Sequence, residues 1–217
     1  MTTVPADKLT AFVAGAHRVA AHGLVRCSSG NLSCRLDEEL MLIKSSRSWM
    51  ADLTTEQIAL CRLDNGATLN GVTPSVEHGF HSGILRERRD VNVVLHFQTP
   101  AATAIACRAA DEVNFFVLPE IPYYIGPVGF VPYLAPGSRE LAEAVVTAMR
   151  THDMVMLRNH GQVTVGRDWN DAIQKAVLFE LACDVMLRAG DRLVPIPSAG
   201  IEEQLRARAA KGQTKSV

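Results

Sequence analysis

Four side chains of this chain have the types and placement for metal chemistry: Glu77, His96, Gln98 and His160. His96 and Gln98 close the stretch Val91-Asn92-Val93-Val94-Leu95-His96-Phe97-Gln98-Thr99-Pro100. That short β-branched and apolar run predicts a buried strand stopped by Thr-Pro. Side chains alternate along a strand, so His96 and Gln98 point to one face. Two readings fit an imidazole there: a hydrogen-bonded strand end, or a ligand site at the mouth of a sheet. His160 stands in the turn Asn159-His160-Gly161 between two expected strands, and Glu77 near the start of an expected helix. Two imidazoles and a carboxylate at element ends are the minimum for a catalytic divalent metal with one open position.

A second group is small and polar. Asn31 lies in a glycine turn, Ser46 in a serine-rich loop, and Ser75 in the first turn of the Glu77 helix. All three could donate to a phosphate, helped by the free N–H groups of a helix start. Ordinary turn and cap chemistry is the alternative for each. Of the other histidines, His81 is four residues from Glu77 and reads as its helical partner. His17, His22 and His152 read as structural or exposed, and His78 stands next to Glu77 but on another face.

The elements that must position these groups follow from punctuation and periodicity. Thr3 and Pro5 start a helix whose apolar residues recur through Ala20 and which Gly23 stops. Leu32–Leu36 and Leu40–Lys44 read as strands around an Asp37-Glu38-Glu39 turn. Asp64-Asn65-Gly66 predicts a hairpin between Leu60–Leu63 and Ala67–Leu69. Thr73-Pro74 opens a helix to about Arg88, and a further helix runs from Pro100 to about Arg108. Asn114–Leu134, broken by four prolines and two glycines, reads as irregular strands and loops. Ser138 caps a helix, Asp153–Arg158 and Gln162–Val165 are strands, and Asp168 caps a long helix ending near Gly190. The tail after Ile201 is weakly helical and frays through Gly212-Gln213-Thr214. These elements imply an α/β fold, one domain over residues 1–217, with a weakly ordered tail after about 200. Its sheet is largely antiparallel, with helices on both faces.

Composition sets outer limits. The chain has 217 residues, 47% hydrophobic and 21% charged, which suffices for one full core. A formal charge of -1 offers no net attraction to nucleic acid or an anionic membrane. Five scattered cysteines form no C-x-x-C pair, so reduced thiols in a cytoplasmic protein are expected. No secretory signal and no membrane-spanning run is read.

Five motifs occur in order: Gly30-Asn31-Leu32-Ser33, Ile43-Lys44-Ser45-Ser46-Arg47, Pro74-Ser75-Val76-Glu77, Val94-Leu95-His96-Phe97-Gln98 and Leu157-Arg158-Asn159-His160-Gly161. Together they resemble the class II aldolase/adducin family over about Asp7 to Gly190. The resemblance implies a three-layer α/β/α domain in a homotetramer and a metal held by His96 and His160. It also implies Glu77 as acid/base carboxylate, and a sugar-phosphate substrate whose phosphate lies at Asn31, Ser46 and Ser75. Zinc is the first expectation for the ion. Where family aldolases carry a second histidine, this chain has Gln98, either a ligand itself or a support for the others. Either role shifts preference toward manganese, cobalt or iron. Arg47 replaces a glycine of the phosphate loop and offers a guanidinium to an oxyanion. Tyr123 or Tyr124 stands in for the family's proton-donating tyrosines.

The implied reaction is retro-aldol cleavage of a ketose 1-phosphate to dihydroxyacetone phosphate and an aldehyde. L-Fuculose 1-phosphate and 5-deoxy- or methylthio-ribulose 1-phosphate are the candidate substrates, the latter favoured by the apolar run Phe115-Phe116-Val117-Leu118. A sugar-phosphate epimerase, a methylthioribulose-1-phosphate dehydratase and a metal-free adducin-like interaction domain are the rivals.

Overall fold

The computed structural model describes residues 4–108 and 113–213. Seven strands form one sheet in the order β3-β2-β1-β4-β7-β6-β5. They are β1 (Asn31–Arg35), β2 (Leu40–Lys44), β3 (Ile58–Arg62), β4 (Val93–Phe97), β5 (Val128–Val131), β6 (Met154–Leu157) and β7 (Gly161–Gly166). Every neighbouring pair is antiparallel except β5 with β6. The helices are α1 (Ala6–Ala21), α2 (His78–Glu87), α3 (Pro100–Ala106), α4 (Arg139–Met149), α5 (Trp169–Ala189) and α6 (Ser198–Gln213).

Strand alternation sorts the core into two layers. Leu32, Leu42, Leu60, Leu95, Phe97 and Met156 face α1, α3 and α5. Ile43, Ala59, Val94, Val155 and Val163 face α2 and α4 through Phe80, Ile84, Leu141 and Val145. The result is the expected three-layer α/β/α arrangement. Among the described residues, no helix is long and apolar enough to cross a membrane.

Several boundaries differ from the sequence reading, each for a local reason. Thr3, read as a cap, lies outside the described residues. Helix α2 starts at His78 rather than at Thr73-Pro74, because the preceding residues are extended: Ser45 bridges Pro74, and Ser75 N donates to Lys44 O at 3.1 Å. The Asp64-Asn65-Gly66 turn forms, but the returning arm reduces to a bridge between Cys61 and Thr68. Asn70 fills the edge instead, its side chain accepting from Leu60 N and donating to Ile58 O. Within the proline-rich stretch, Ile121–Ile125 winds into a single π-helical turn and Val128–Val131 pairs parallel to β6. The segment read as a weakly helical tail contains α6, which packs on that π turn. Arg208 ties α6 to the body through Asp153 at 2.7 Å.

Candidate metal centre

The site is built where the ends of β1, β4 and β7 meet the start of α2. Asn31 pairs with His96 across β1 and β4, so both side chains leave the sheet toward α2. His160 precedes β7 in a tight turn whose Asn159 has φ 53°. Gly161 lets that turn close onto β4: a Cβ there would lie 2.7 Å from Phe97 O and 2.7 Å from Gln98 Cγ. Gly30 does the same from β1, with φ 66° and space for a Cβ only 2.7 Å from His96 O. Two glycines thus allow three strands to bring their ends together.

Glu77, at the N-terminal boundary of α2, faces both imidazoles. His96 Nε2 is 3.5 Å from Glu77 Oε2, and His160 Nε2 is 3.5 Å from Glu77 Oε1. One ligand atom from each residue lies within 4.8 Å of the others. Donors about 3.4 Å apart are what a tetrahedral ion with bonds of about 2.1 Å requires.

Protonation follows from the partners. His96 Nδ1 lies 2.9 Å from Gln162 O, and a carbonyl only accepts, so Nδ1 carries a hydrogen and Nε2 is the nitrogen turned toward Glu77. Burial, with the His96 ring beside it, pushes His160 down to about 4 against the pull of Glu77. His160 is therefore neutral at pH 7. Glu77 Oε1 and His160 Nδ1 are buried and lack a hydrogen-bond partner. A buried carboxylate oxygen without a donor is costly unless a cation completes it. Three neutral or anionic donors converging on one point, with that oxygen left over, fit a divalent ion.

A directional chain holds Glu77 in place. Asn31 Nδ2 donates to Glu77 Oε2 at 2.7 Å, which turns Asn31 Oδ1 toward His81 Nε2. His81 Nδ1 then accepts from the Ser33 hydroxyl at 2.7 Å. Burial, then the neighbouring His96 and His78, push His81 well below its ordinary value, so it stays neutral and donates through Nε2 alone. His81 is thus not paired with Glu77 as the helical spacing predicts. Its partner is Asn31, because Glu77 belongs to the turn before the helix rather than to its ladder.

Asn31, Ser46, Arg47 and Ser75 come from three adjacent segments. Ser46 N donates to Thr73 O, and Ser75 Oγ accepts from Glu77 N at 3.4 Å. Arg47 keeps φ 61°, the left-handed conformation that favours the glycine it replaces. Sequence reasoning missed Lys44, which joins these segments. Its Nζ donates to Ser48 O at 2.6 Å and to Ser28 O at 3.4 Å. Lys44 is 2% exposed and has no carboxylate partner among the described residues. Burial pushes it down to about 8. A lysine closing a fully buried strand was the available signal.

Gln98 engages the site through its amide nitrogen. Its Nε2 donates to His160 O at 3.1 Å, which pins the His160 turn. Gln98 and His160 also wall a neighbouring cavity of about 340 Å³ that includes Arg26, Thr103 and Cys107. Tyr123 and Tyr124 flank a different cavity, of about 200 Å³, beside Gln204 of α6. The structure does not place either tyrosine on the cavity that contains His160. Of the apolar run expected to line the substrate, Phe116, Val117 and Leu118 are partly buried against the core and Phe115 lies within it. Phe115 is buried and packs on Phe130 and Phe179.

A three-layer sheet sandwich with a Glu/His/His cluster at its strand ends defines a candidate divalent-metal enzyme. Residues 10–187 match the family described as Class II Aldolase and Adducin N-terminal domain. The chain belongs to that family, and class II aldolases use a divalent metal. It is 32% identical over 147 residues to a 3-oxo-tetronate 4-phosphate decarboxylase of Haemophilus influenzae, covering 66% of this chain and 70% of that one. It is 35% identical over 156 residues to an L-fuculose phosphate aldolase of Methanococcus maripaludis, covering 71% and 83%. The structure of YgbL from Escherichia coli, an aldolase/epimerase/decarboxylase candidate, superposes with a TM-score of 0.86 at 24% identity, over 92% of this chain and 98% of that one. That last likeness concerns the fold alone.

Proposed function

We propose that this protein is a divalent-metal-dependent carbon–carbon lyase acting on a phosphorylated hydroxyketone, with dihydroxyacetone phosphate as the retained product. The observation that carries this reading is the convergence of Glu77, His96 and His160 around an unpaired buried carboxylate oxygen. When bound, the ion supplies Lewis-acid stabilisation of charge developing on substrate oxygens. Zinc suits two imidazoles and a carboxylate, and manganese, cobalt or iron are the other candidates.

The residues of the chain do the rest. Lys44 sits beneath the segments bearing Asn31, Ser46, Arg47 and Ser75 and supplies positive charge for the phosphate end. Asn31, itself held by His81, fixes Glu77 Oε2 and leaves Oε1 without a protein partner. Glu77, after taking up a proton from solvent, delivers it to the carbon that keeps the electron pair when the bond breaks. Gln98 fixes the His160 turn. The proton-donating tyrosine reaches the site from a neighbouring copy, in keeping with a homotetramer.

Two substrates share this course and differ in what leaves. From a ketose 1-phosphate the departing half is an aldehyde. From a 3-oxo-tetronate 4-phosphate it is carbon dioxide, and the product is again dihydroxyacetone phosphate. The decarboxylase relatives favour the second, and the burial of Phe115 in the core weakens the argument for an apolar aldehyde. The test offers both substrate types to metal-loaded protein, reading dihydroxyacetone phosphate together with aldehyde or carbon dioxide. No dihydroxyacetone phosphate from either type, with any of the four metals, would overturn the proposal.

A further inference from the structure

The cavity beside His160 has a chemical character of its own. Among the described residues Arg26 is the one charged side chain in its wall, His160 being neutral, and no acidic residue lines it. The Arg26 guanidinium meets no carboxylate among the described residues; the Arg26 backbone is engaged with the Ser29 hydroxyl and the Ser29 N–H. Gln98 uses one amide hydrogen on His160 O and has a second to offer. A fork of guanidinium donors backed by a neutral amide suits a planar carboxylate. The cavity shares His160 with the donor cluster, and Gln98 in the same wall braces the His160 turn, so a substrate held there extends into it. The phosphate end has its own place at the Lys44 segments.

We propose that this cavity receives the half of the substrate that leaves, and that Arg26 reads a carboxylate on it. This rests on the lyase reading above and narrows it to phosphorylated sugar acids. Arg26 is a specificity-determining residue in this account. Where the carboxylate departs as neutral carbon dioxide, its contact with Arg26 weakens in the transition state. Arg26→Ala then raises KM without lowering kcat.

Two measurements test the proposal separately. The first needs neither substrate nor metal: alkylation of Cys107, which lines the same cavity and is exposed, by iodoacetate and by iodoacetamide. Peptide mapping reads Cys107 apart from the exposed Cys27. The iodoacetate-to-iodoacetamide rate ratio at Cys107 should fall about threefold or more in Arg26→Ala, as expected for a unit charge roughly 5 Å away in water. The second compares binding of 4-phosphoerythronate and erythritol 4-phosphate, which differ in the carboxylate alone, to metal-loaded protein. The acid should bind about tenfold tighter or more, the preference should collapse in Arg26→Ala, and Arg26→Lys should restore part of it. An unchanged alkylation ratio overturns the anion-reading cavity. A preference that survives in Arg26→Ala overturns the role of Arg26. A fallen ratio with neither phosphate bound upholds the cavity and overturns the phosphosugar reading of the preceding subsection.

Discussion

Replacing Lys44 by methionine keeps most of the buried volume and removes the charge. Lys44 falls from 10.5 to about 8 because its ammonium is buried with two carbonyls and no anion. Its folded pKa lies below its unfolded one, so the charged form disfavours folding. The penalty is fully present below pH 8 and disappears as pH rises through 8 toward 10.5. At about 1.4 kcal/mol per unit, the shift amounts to about 3 kcal/mol at pH 7, of which about 2 kcal/mol is relieved by pH 10. Lys44→Met also loses the hydrogen bonds to Ser48 O and Ser28 O, but that loss is the same at both pH values. The quantity to read is therefore the difference in unfolding free energy between wild type and Lys44→Met, from urea titrations between pH 7 and pH 10. Wild type should gain about 2 kcal/mol on the variant over that range. Inorganic phosphate, placed beside the ammonium, should raise the Lys44 pKa and flatten the difference. Parallel pH profiles for the two proteins would refute the reasoning.

Asn31→Ala removes the 2.7 Å donor to Glu77 Oε2 and strands the His81 Nε2 hydrogen, so metal affinity by chelator competition should fall about 10- to 100-fold. Gly161→Ala would push a methyl against Phe97 O and Gln98 Cγ, each 2.7 Å away; a loss of about 1–3 kcal/mol in denaturant titrations should accompany weaker metal binding. Asp153 is buried among Lys175, Arg88 and Arg208; burial pushes it up, and the three cations outweigh burial and hold it below the ordinary carboxylate value of 3.8. Its contribution is present above pH 3.8 and lost as pH falls through the lower folded value, so Asp153→Asn should lose about 3–5 kcal/mol at pH 7 and show a shallower acid limb.

Much of the frame was legible because the signals were local. The strand Leu40–Lys44 and the caps Ser138 and Asp168 fall where the sequence puts them, the caps accepting from Leu141 N and Asp171 N. What escaped depends on contacts between distant segments. The helix at Glu77 was drawn too long because Thr-Pro is an equally good start for an extended turn, and only the bridge from Pro74 to Ser45 decides it. The Asn31–His81–Ser33 chain is set by the register of β1 against β4 and by α2 above it, which no spacing encodes. Lys44 was passed over because an amphipathic side chain at a strand end ordinarily reaches solvent. Phe115 misled for a related reason: an apolar run can line a pocket or fill a core, and here Phe115 enters the core while Phe116, Val117 and Leu118 pack against it.

Equilibrium dialysis with metal analysis tests the centre most directly, with zinc, manganese, cobalt and iron(II) offered separately to wild type, Glu77→Gln, His96→Ala and His160→Ala. The geometry predicts one tightly held ion per wild-type chain and a loss of affinity of about 100-fold or more in each variant. Undiminished binding in any one of the three variants, or no binding by wild type, would contradict it.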